Sequence, residues 1–395
     1  MASKRHSTSV NGPLVLAAAM VLTLALGSVH AFSVFLQPME QVFAASRAEV
    51  SFTYSAALVC LTLAVLTGHL VFGALRPALF ALAACSAAAV GCIIASLANG
   101  LWGVWLGYSI LFGAANGFGY GYALQIAAQA NPQNKAFAMG ITTAAYALGA
   151  AVFPSFLDHI LTTAGIALAL QALALVVIAA GIVAAGLLHV AKARFATATT
   201  AEVVHGHENS TRLLAHLWFA YGAGVSAGLM VIGHATGLAT NAGAAKNLVV
   251  LAPVFVAVGN MAGGVLAGWA TDTLGSRWVL TVLPVLTLCG LTTLLISAGP
   301  LAALTALGLI GFSYGAIIAV YPAVISYLFG TLHGIRAYGR VFTAWGAAGL
   351  IFPWLAGYLF DHAQTYTTIL IVAAVISGLS AVFACRLPPA HAERT

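Results

Sequence analysis

The sequence predicts an all-α membrane protein of twelve transmembrane helices arranged as two pseudo-symmetric six-helix bundles. Three observations carry this. The chain is 62% apolar and only 6% charged, with a mean hydropathy of +1.03, too little charge to make a soluble surface. Runs of about 20 residues without a charge recur along it, the length a helix needs to cross about 30 Å of hydrocarbon. The second half echoes the first at an offset of about 200 residues. In lipid the backbone must satisfy its own hydrogen bonds, and the alternation of a barrel is missing, so the spans are helices.

Taken in order, the expected spans are 13–36, 50–75, 78–98, 101–129, 136–157 and 165–190, then 213–239, 247–271, 278–298, 301–329, 338–360 and 366–387. Residues 1–190 form an N-terminal six-helix bundle, 191–212 a polar linker with Lys192, Arg194, Glu202 and Glu208, and 213–395 a C-terminal six-helix bundle. The first span follows Lys4-Arg5 but is too long for a cleaved signal and lacks a good cleavage site, so it is expected to be retained. With the N-terminus in the cytoplasm, twelve of the 14 basic residues fall on the inner side; only Arg47 and Lys246 fall outside. That positive-inside bias places both termini in the cytoplasm and explains the net charge of +6 without a nucleic-acid partner. The lipid bilayer is the partner the composition demands.

The echoes between halves are specific. Phe153-Pro154 with Asp158-His159 returns as Phe352-Pro353 with Asp361-His362; His30-Ala31 returns as His234-Ala235; Gly68 ends span 2 as Gly268 ends span 8. Duplicated carrier halves leave such traces, with the solute site at their interface.

After span 8 comes Gly268-Trp269-Ala270-Thr271-Asp272-Thr273-Leu274-Gly275-Ser276-Arg277, a G-x-x-x-D-x-x-G-x-R run. Asp272 and Arg277 sit where a helix leaves the bilayer and can pair with each other or with a neighbouring helix end; Gly268 and Gly275 allow close approach and a tight turn. The spacing resembles the loop between the second and third helices of each half of a major facilitator superfamily transporter, which implies a cytoplasmic latch between halves. The first-half counterpart, Gly68 to Arg76, has Phe72 where the acid is expected, so the second-half copy should matter more.

Further segments narrow the resemblance. Gly27-Ser28-Val29-His30-Ala31-Phe32 in span 1, Gly228 to Ala235 in span 7, Tyr338 to Gly346 opening span 11 and Ala356 to Asp361 closing it look like the oxalate/formate antiporter branch, which is related to the monocarboxylate transporters. The resemblance implies a bacterial inner-membrane carrier of small organic anions, monomeric, with a cavity lined by spans 1, 4, 7 and 10. There are two departures. Trp345 stands where the oxalate exchangers place a lysine, and Gly264 stands near the position of their arginine. Without those two cations a dicarboxylate is disfavoured; a monoanion, a neutral acid and a quite different solute stay open, with a monocarboxylate as the preferred cargo.

Ionisable groups in a bilayer are costly and suggest function. The spans hold no Asp or Glu near mid-depth, so His30, His69 and His234 stand out as groups that titrate near neutral pH. His30 and His234 are candidates to flank an anion, with helix-tying bonds to carbonyls as the open alternative; His69, near a span end, favours the latter. Span 4 is glycine-rich, and its Gly117-x-Gly119 lacks the strand and acidic residue of a nucleotide fold. Its Asn116 and Tyr120 lie roughly on one face, with Gln125 a weaker candidate for it, and Tyr120 is the binding candidate. Tyr314 and Trp345 lie too deep for interfacial anchoring and join the expected lining. Asn260 reads as packing glue. The five cysteines read as small buried hydrophobes with no metal or disulfide spacing, and no cofactor or metal is expected. An enzyme is not indicated. The competing functions are an exporter of hydrophobic drug-like compounds, which an aromatic, charge-poor cavity would suit, and a non-transporting receptor, which the lack of a sizeable soluble domain disfavours.

Overall fold

The computed structural model describes residues 10–45, 47–196, 211–249, 251–296, 299–363 and 365–388. The expected linker 191–212 falls mostly outside them. Among the described residues the regular structure is entirely helical. Ten helices are long and apolar enough to cross a membrane, with 300–330 and 333–360 already separate among them, and two structural details bring the number to twelve: 135–190 divides at Gly165, and 101–130 adds a span.

The first detail is one of a pair of glycine turns. A continuous helix over the 56 residues Lys135–Val190 would be about 84 Å long, far beyond the bilayer. Gly165, at φ +82°, breaks it into two arms. Gly330, at φ +73°, breaks the 64-residue run Pro300–Ala363 in the same way. A side chain at either position would be strained in that conformation. The other detail lies in 101–130, where the helix widens to π-type bonding over Trp105–Phe112 and then resumes.

The spans are therefore α1 (Gly12–Phe35), α2 (Arg47–Thr67), α3 (Pro77–Ser96), α4 (101–130), α5 (135–164), α6 (166–190), α7 (Thr211–Asn241), α8 (Ala252–Leu274), α9 (Ser276–Ile296), α10 (300–329), α11 (331–363) and α12 (Thr367–Cys385). Three boundaries depart from expectation by seven residues or more, and one is the end of α5, which runs to 164 rather than 157 because only Gly165 breaks it. Helix α2 stops at Thr67 rather than continuing to 75, because Gly68 opens a 3-10 turn and a loop runs to Pro77. Helix α11 begins at 331 rather than 338, because Gly330 alone reverses the chain.

The core is layered by half. One buried cluster is built almost wholly from residues 15–191 and is rich in alanine, with Phe32, Phe35, Phe72 and Phe112 filling between close-packed helices. A second lies within 227–373. The third joins the halves: Leu61, Val65, Tyr120 and Met139 of the first half pack with Tyr221, Tyr314, Val341 and Trp345 of the second. Small residues face inward, while Leu, Val and Trp such as Leu175, Val190 and Trp102 face outward, the pattern of helices packed in lipid. The cysteines divide: Cys85 and Cys92 are buried, but Cys289 and Cys385 are exposed on the outside of the bundle, a correction to their reading as buried fillers. Cys289 sits on the outward face of α9, and Cys385 is the last residue of α12, where the helix ends at Arg386.

Candidate functional site

A cavity of about 490 Å³ lies between the two halves. It takes its walls from α1 (His30, Ser33), α2 (Tyr54, Leu58, Leu61), α5 (Thr143, Tyr146, Pro154), α7 (Leu229, Thr236) and α8 (Pro253, Asn260). Tyr120 of α4, Tyr314 of α10 and Phe342 with Trp345 of α11 close it on the side of the Gly268–Arg277 loop. The α1, α7 and α8 residues lie near the opposite ends of their helices. The cavity thus occupies the half of the molecule away from that loop.

Four of the five residues singled out in the sequence meet here. Trp345 donates its indole N–H to the Tyr314 hydroxyl at 3.0 Å, both side chains being buried. The Tyr314 oxygen therefore accepts from Trp345 and keeps its own proton to donate. Phe342 stacks on Trp345 with ring centroids 5.1 Å apart, and Tyr120 packs against Tyr146 at 4.9 Å. His30 Nδ1 lies 2.6 Å from the Tyr54 hydroxyl, and its ring meets Tyr146 edge-on at 5.4 Å.

His234 is the exception, and its expected place in the lining is corrected. Leu229, Ile232, Gly233 and Thr236 form the stripe of α7 that faces the cavity, at the spacing of one helical face, and His234 falls beside it. Its Nε2 instead faces the Pro353 carbonyl at 3.2 Å, tying α7 to α11. The two histidines match in sequence but not in surroundings. His69 bonds locally to the Leu66 carbonyl at 3.1 Å.

Asn116 is fully buried and also turned away from the cavity. Its amide donates to the Leu26 carbonyl at 2.5 Å and its oxygen accepts from the Tyr146 hydroxyl at 3.0 Å. Leu26 is where α1 tightens from α to 3-10 over Gly27–Phe35, so Asn116 satisfies a carbonyl at that transition. Asn260, read as packing, reaches the lining while its backbone also packs closely on Gly315. Sequence reasoning overlooked Tyr54, Tyr146 and Phe342. The signal for two of them was present as helical stripes, Tyr54-Leu58-Leu61 and Tyr146-Ala150-Pro154.

Opposite the cavity, the halves meet closely. Asp272 accepts from the backbone N–H groups of Ala136 (3.2 Å) and Phe137 (2.8 Å) and from the Tyr327 hydroxyl (2.6 Å). The carboxylate of the second half thereby caps the N-terminus of α5 in the first, where orphan N–H groups and the helix dipole favour an anion. Arg277 points elsewhere and donates to the Cys385 carbonyl at 3.2 Å, so among the described residues the two charges of the motif do not pair. Gly275 turns the chain at φ +92°. A Cβ on Gly268 would come within 2.5 Å of the Ala136 carbonyl oxygen, so only glycine permits this approach. In the first-half counterpart, Phe72 is buried among Phe80, Tyr122 and Phe195. There α2 closes on α11 by contact alone, with Gly339 against Val65 and Leu66.

Among the described residues no group of three His, Cys, Asp or Glu is placed to hold a metal. Among the described residues the cavity lining contains no Lys, Arg, Asp or Glu.

No protein-family model matches the chain. It is 24% identical over 346 residues to the uncharacterised MFS-type transporter YhjX of Escherichia coli (strain K12), covering 83% of each chain. Its structure resembles the proton:xylose symporter XylE bound to 6-bromo-6-deoxy-D-glucose, at a TM-score of 0.76 and 14% identity over 96% of both chains. It also resembles the major facilitator transporter FucP in the outward conformation, at 0.68 and 16% identity over 94% of this chain and 97% of that one. These similarities support a place among the transporters of the major facilitator superfamily, and the chain has that superfamily's fold.

Proposed function

We propose that this protein is a secondary active transporter that moves a small organic anion, a monocarboxylate, across the bacterial inner membrane by alternating access between residues 1–190 and 213–395. The observation that carries the reading is the arrangement of donors and walls in the cavity. His30, Tyr314 and Asn260 line one cavity and bring hydrogen-bond donors suited to a carboxylate, while Phe342, Trp345 and Tyr120 offer an aromatic face to an organic tail. The lining has no fixed cation, so a dianion would be held poorly and a single negative charge suits it better. The motifs shared with the oxalate/formate antiporter branch agree with this cargo class. The termini and the Asp272 latch then lie on the cytoplasmic side, and the conformation is open outward. The carrier works as a monomer, by exchange or with a proton.

A second reading has its own support. An aromatic, charge-free wall also suits export of hydrophobic drug-like compounds. One experiment separates the two: the thermal midpoint of the purified protein against mono- and dicarboxylates, neutral metabolites and lipophilic cations. A ligand that binds the folded state raises the midpoint by mass action. Stabilisation by monocarboxylates is expected. Stabilisation by lipophilic compounds alone would move the assignment to the exporter, and stabilisation by neutral sugars alone would discard both.

A further inference from the structure

We infer that His30 and Tyr54 form a proton-loading pair, so that the anion enters the cavity together with a proton taken up by the imidazole. This rests on the carrier reading and supplies its coupling ion.

The geometry points to it in three ways. Among the described residues His30 is the one imidazole in the cavity lining, and its Nδ1 is held by the Tyr54 hydroxyl at 2.6 Å, which leaves Nε2 for a solute. Among the described residues the groups around it offer no competing charge: α2 presents Tyr54, α5 presents Tyr146, and Tyr120 and Tyr314 line the same cavity from α4 and α10. The α7, α8 and α11 walls contribute only non-titrating side chains. Finally, the ring sits edge-on to Tyr146, whose hydroxyl donates to Asn116, whose amide holds the Leu26 carbonyl where α1 becomes 3-10. The state of the ring is thus connected by direct contacts to the segment of α1 that carries it.

In the neutral pair one proton serves the Nδ1–Tyr54 bond, whichever group donates it. When the ring takes a proton from outside water, Nδ1–H must donate to the Tyr54 oxygen. The Tyr54 O–H is then free to turn toward the cavity beside Nε2–H. Protonation therefore adds a positive charge and one further donor at the place where a carboxylate would bind. The bound anion in turn holds the proton on the ring. Once the site faces the cytoplasm, departure of the anion removes that stabilisation and the proton leaves to water. One proton and one anion cross together, and their charges cancel in transit.

The test is calorimetric titration of the purified full-length protein with propionate and with benzoate, from pH 5.5 to 7.5, in two buffers of different ionisation enthalpy. Both probes are mostly ionised across that range, benzoate more completely than propionate. The wild type should take up close to one proton per anion bound above the ring's own titration, and affinity should fall about tenfold per pH unit there. His30→Gln should bind with no proton uptake and a flat pH profile. Tyr54→Phe removes the acceptor that stabilises the imidazolium, so its profile should move to lower pH; this variant serves if His30→Gln does not fold. A His30→Gln protein that still takes up the proton, or a Tyr54→Phe profile that does not move, overturns the pair while leaving the carrier standing. Wild-type protein that binds neither carboxylate at any pH overturns the carrier reading, and the pair falls with it.

Discussion

At the scale of single residues, the cavity shows how one hydrogen bond decides what a side chain can offer. Tyr314 receives the Trp345 indole N–H and so has its own proton to give. Tyr314→Phe should leave the fold intact and weaken carboxylate binding by roughly two- to tenfold, the contribution of one hydrogen bond of about 0.5–1.5 kcal/mol. Titration of the variant checks it; unchanged affinity would remove Tyr314 from the binding set. His234 should behave differently. His234→Ala breaks a tie between α7 and α11, so the thermal midpoint should fall while affinity stays within about threefold, since the side chain lies off the cavity stripe. Asn116→Ala should be the more damaging substitution. It leaves the Leu26 carbonyl and the Tyr146 hydroxyl buried without their partner, at a cost of about 1–3 kcal/mol, and a small drop in midpoint would contradict that role.

At the scale of helices, the two halves close on one side by different means. Asp272 caps α5 and Gly268 lets α8 touch it, whereas α2 and α11 meet through Gly339 with no carboxylate, because Phe72 is committed to an aromatic cluster. Asp272→Asn keeps one acceptor oxygen but loses the charge that favours the α5 N-terminus. Bonds to a charged group are worth about 1.5–3 kcal/mol, so the closed side should open more often. Faster hydrogen exchange of the 135–140 segment, with turnover disturbed and affinity largely kept, is the expected result; a large affinity loss at normal exchange would contradict a latch. Phe72→Asp should not build a second latch. It would bury a carboxylate among Phe80, Tyr122 and Phe195, and the expected outcome is loss of folded protein on size exclusion.

For the whole molecule, the described conformation has its cavity on one side and its tightest helix contacts on the other, an arrangement that fits one end state of the proposed alternating-access cycle. A ligand that fits this cavity should raise the thermal midpoint, and Gly268→Val should lower it, because a Cβ there must push the halves apart at Ala136. If Gly268→Val proved as stable as the wild type, the close approach would carry no energetic weight. The helical, membrane-spanning architecture was legible in the sequence almost in full, because hydrocarbon forces every span to be long, apolar and self-bonded. The glycines that break 135–190 and 300–363 needed only the same rule, since no helix of that length fits a bilayer. The site was legible in part. His30, Tyr120, Tyr314 and Trp345 stood out as polar or aromatic groups deep in apolar runs, a local property of the chain. Tyr54 and Tyr146 lay on helical stripes legible in the sequence, but only the packing of α2 and α5 against α1 gives them partners. His234 looked equivalent to His30 because sequence records the repeat but not the rotation of each helix, and that rotation turns one ring to the cavity and the other to a carbonyl. The sequence alone thus determined the solvent, the number of crossings and the candidate polar groups, all of which follow from transfer energies along a single chain. Only the tertiary structure decided which of those groups converge and that Asp272 answers to α5 rather than to Arg277, because hydrogen bonds depend on distances between helices that the chain does not encode locally.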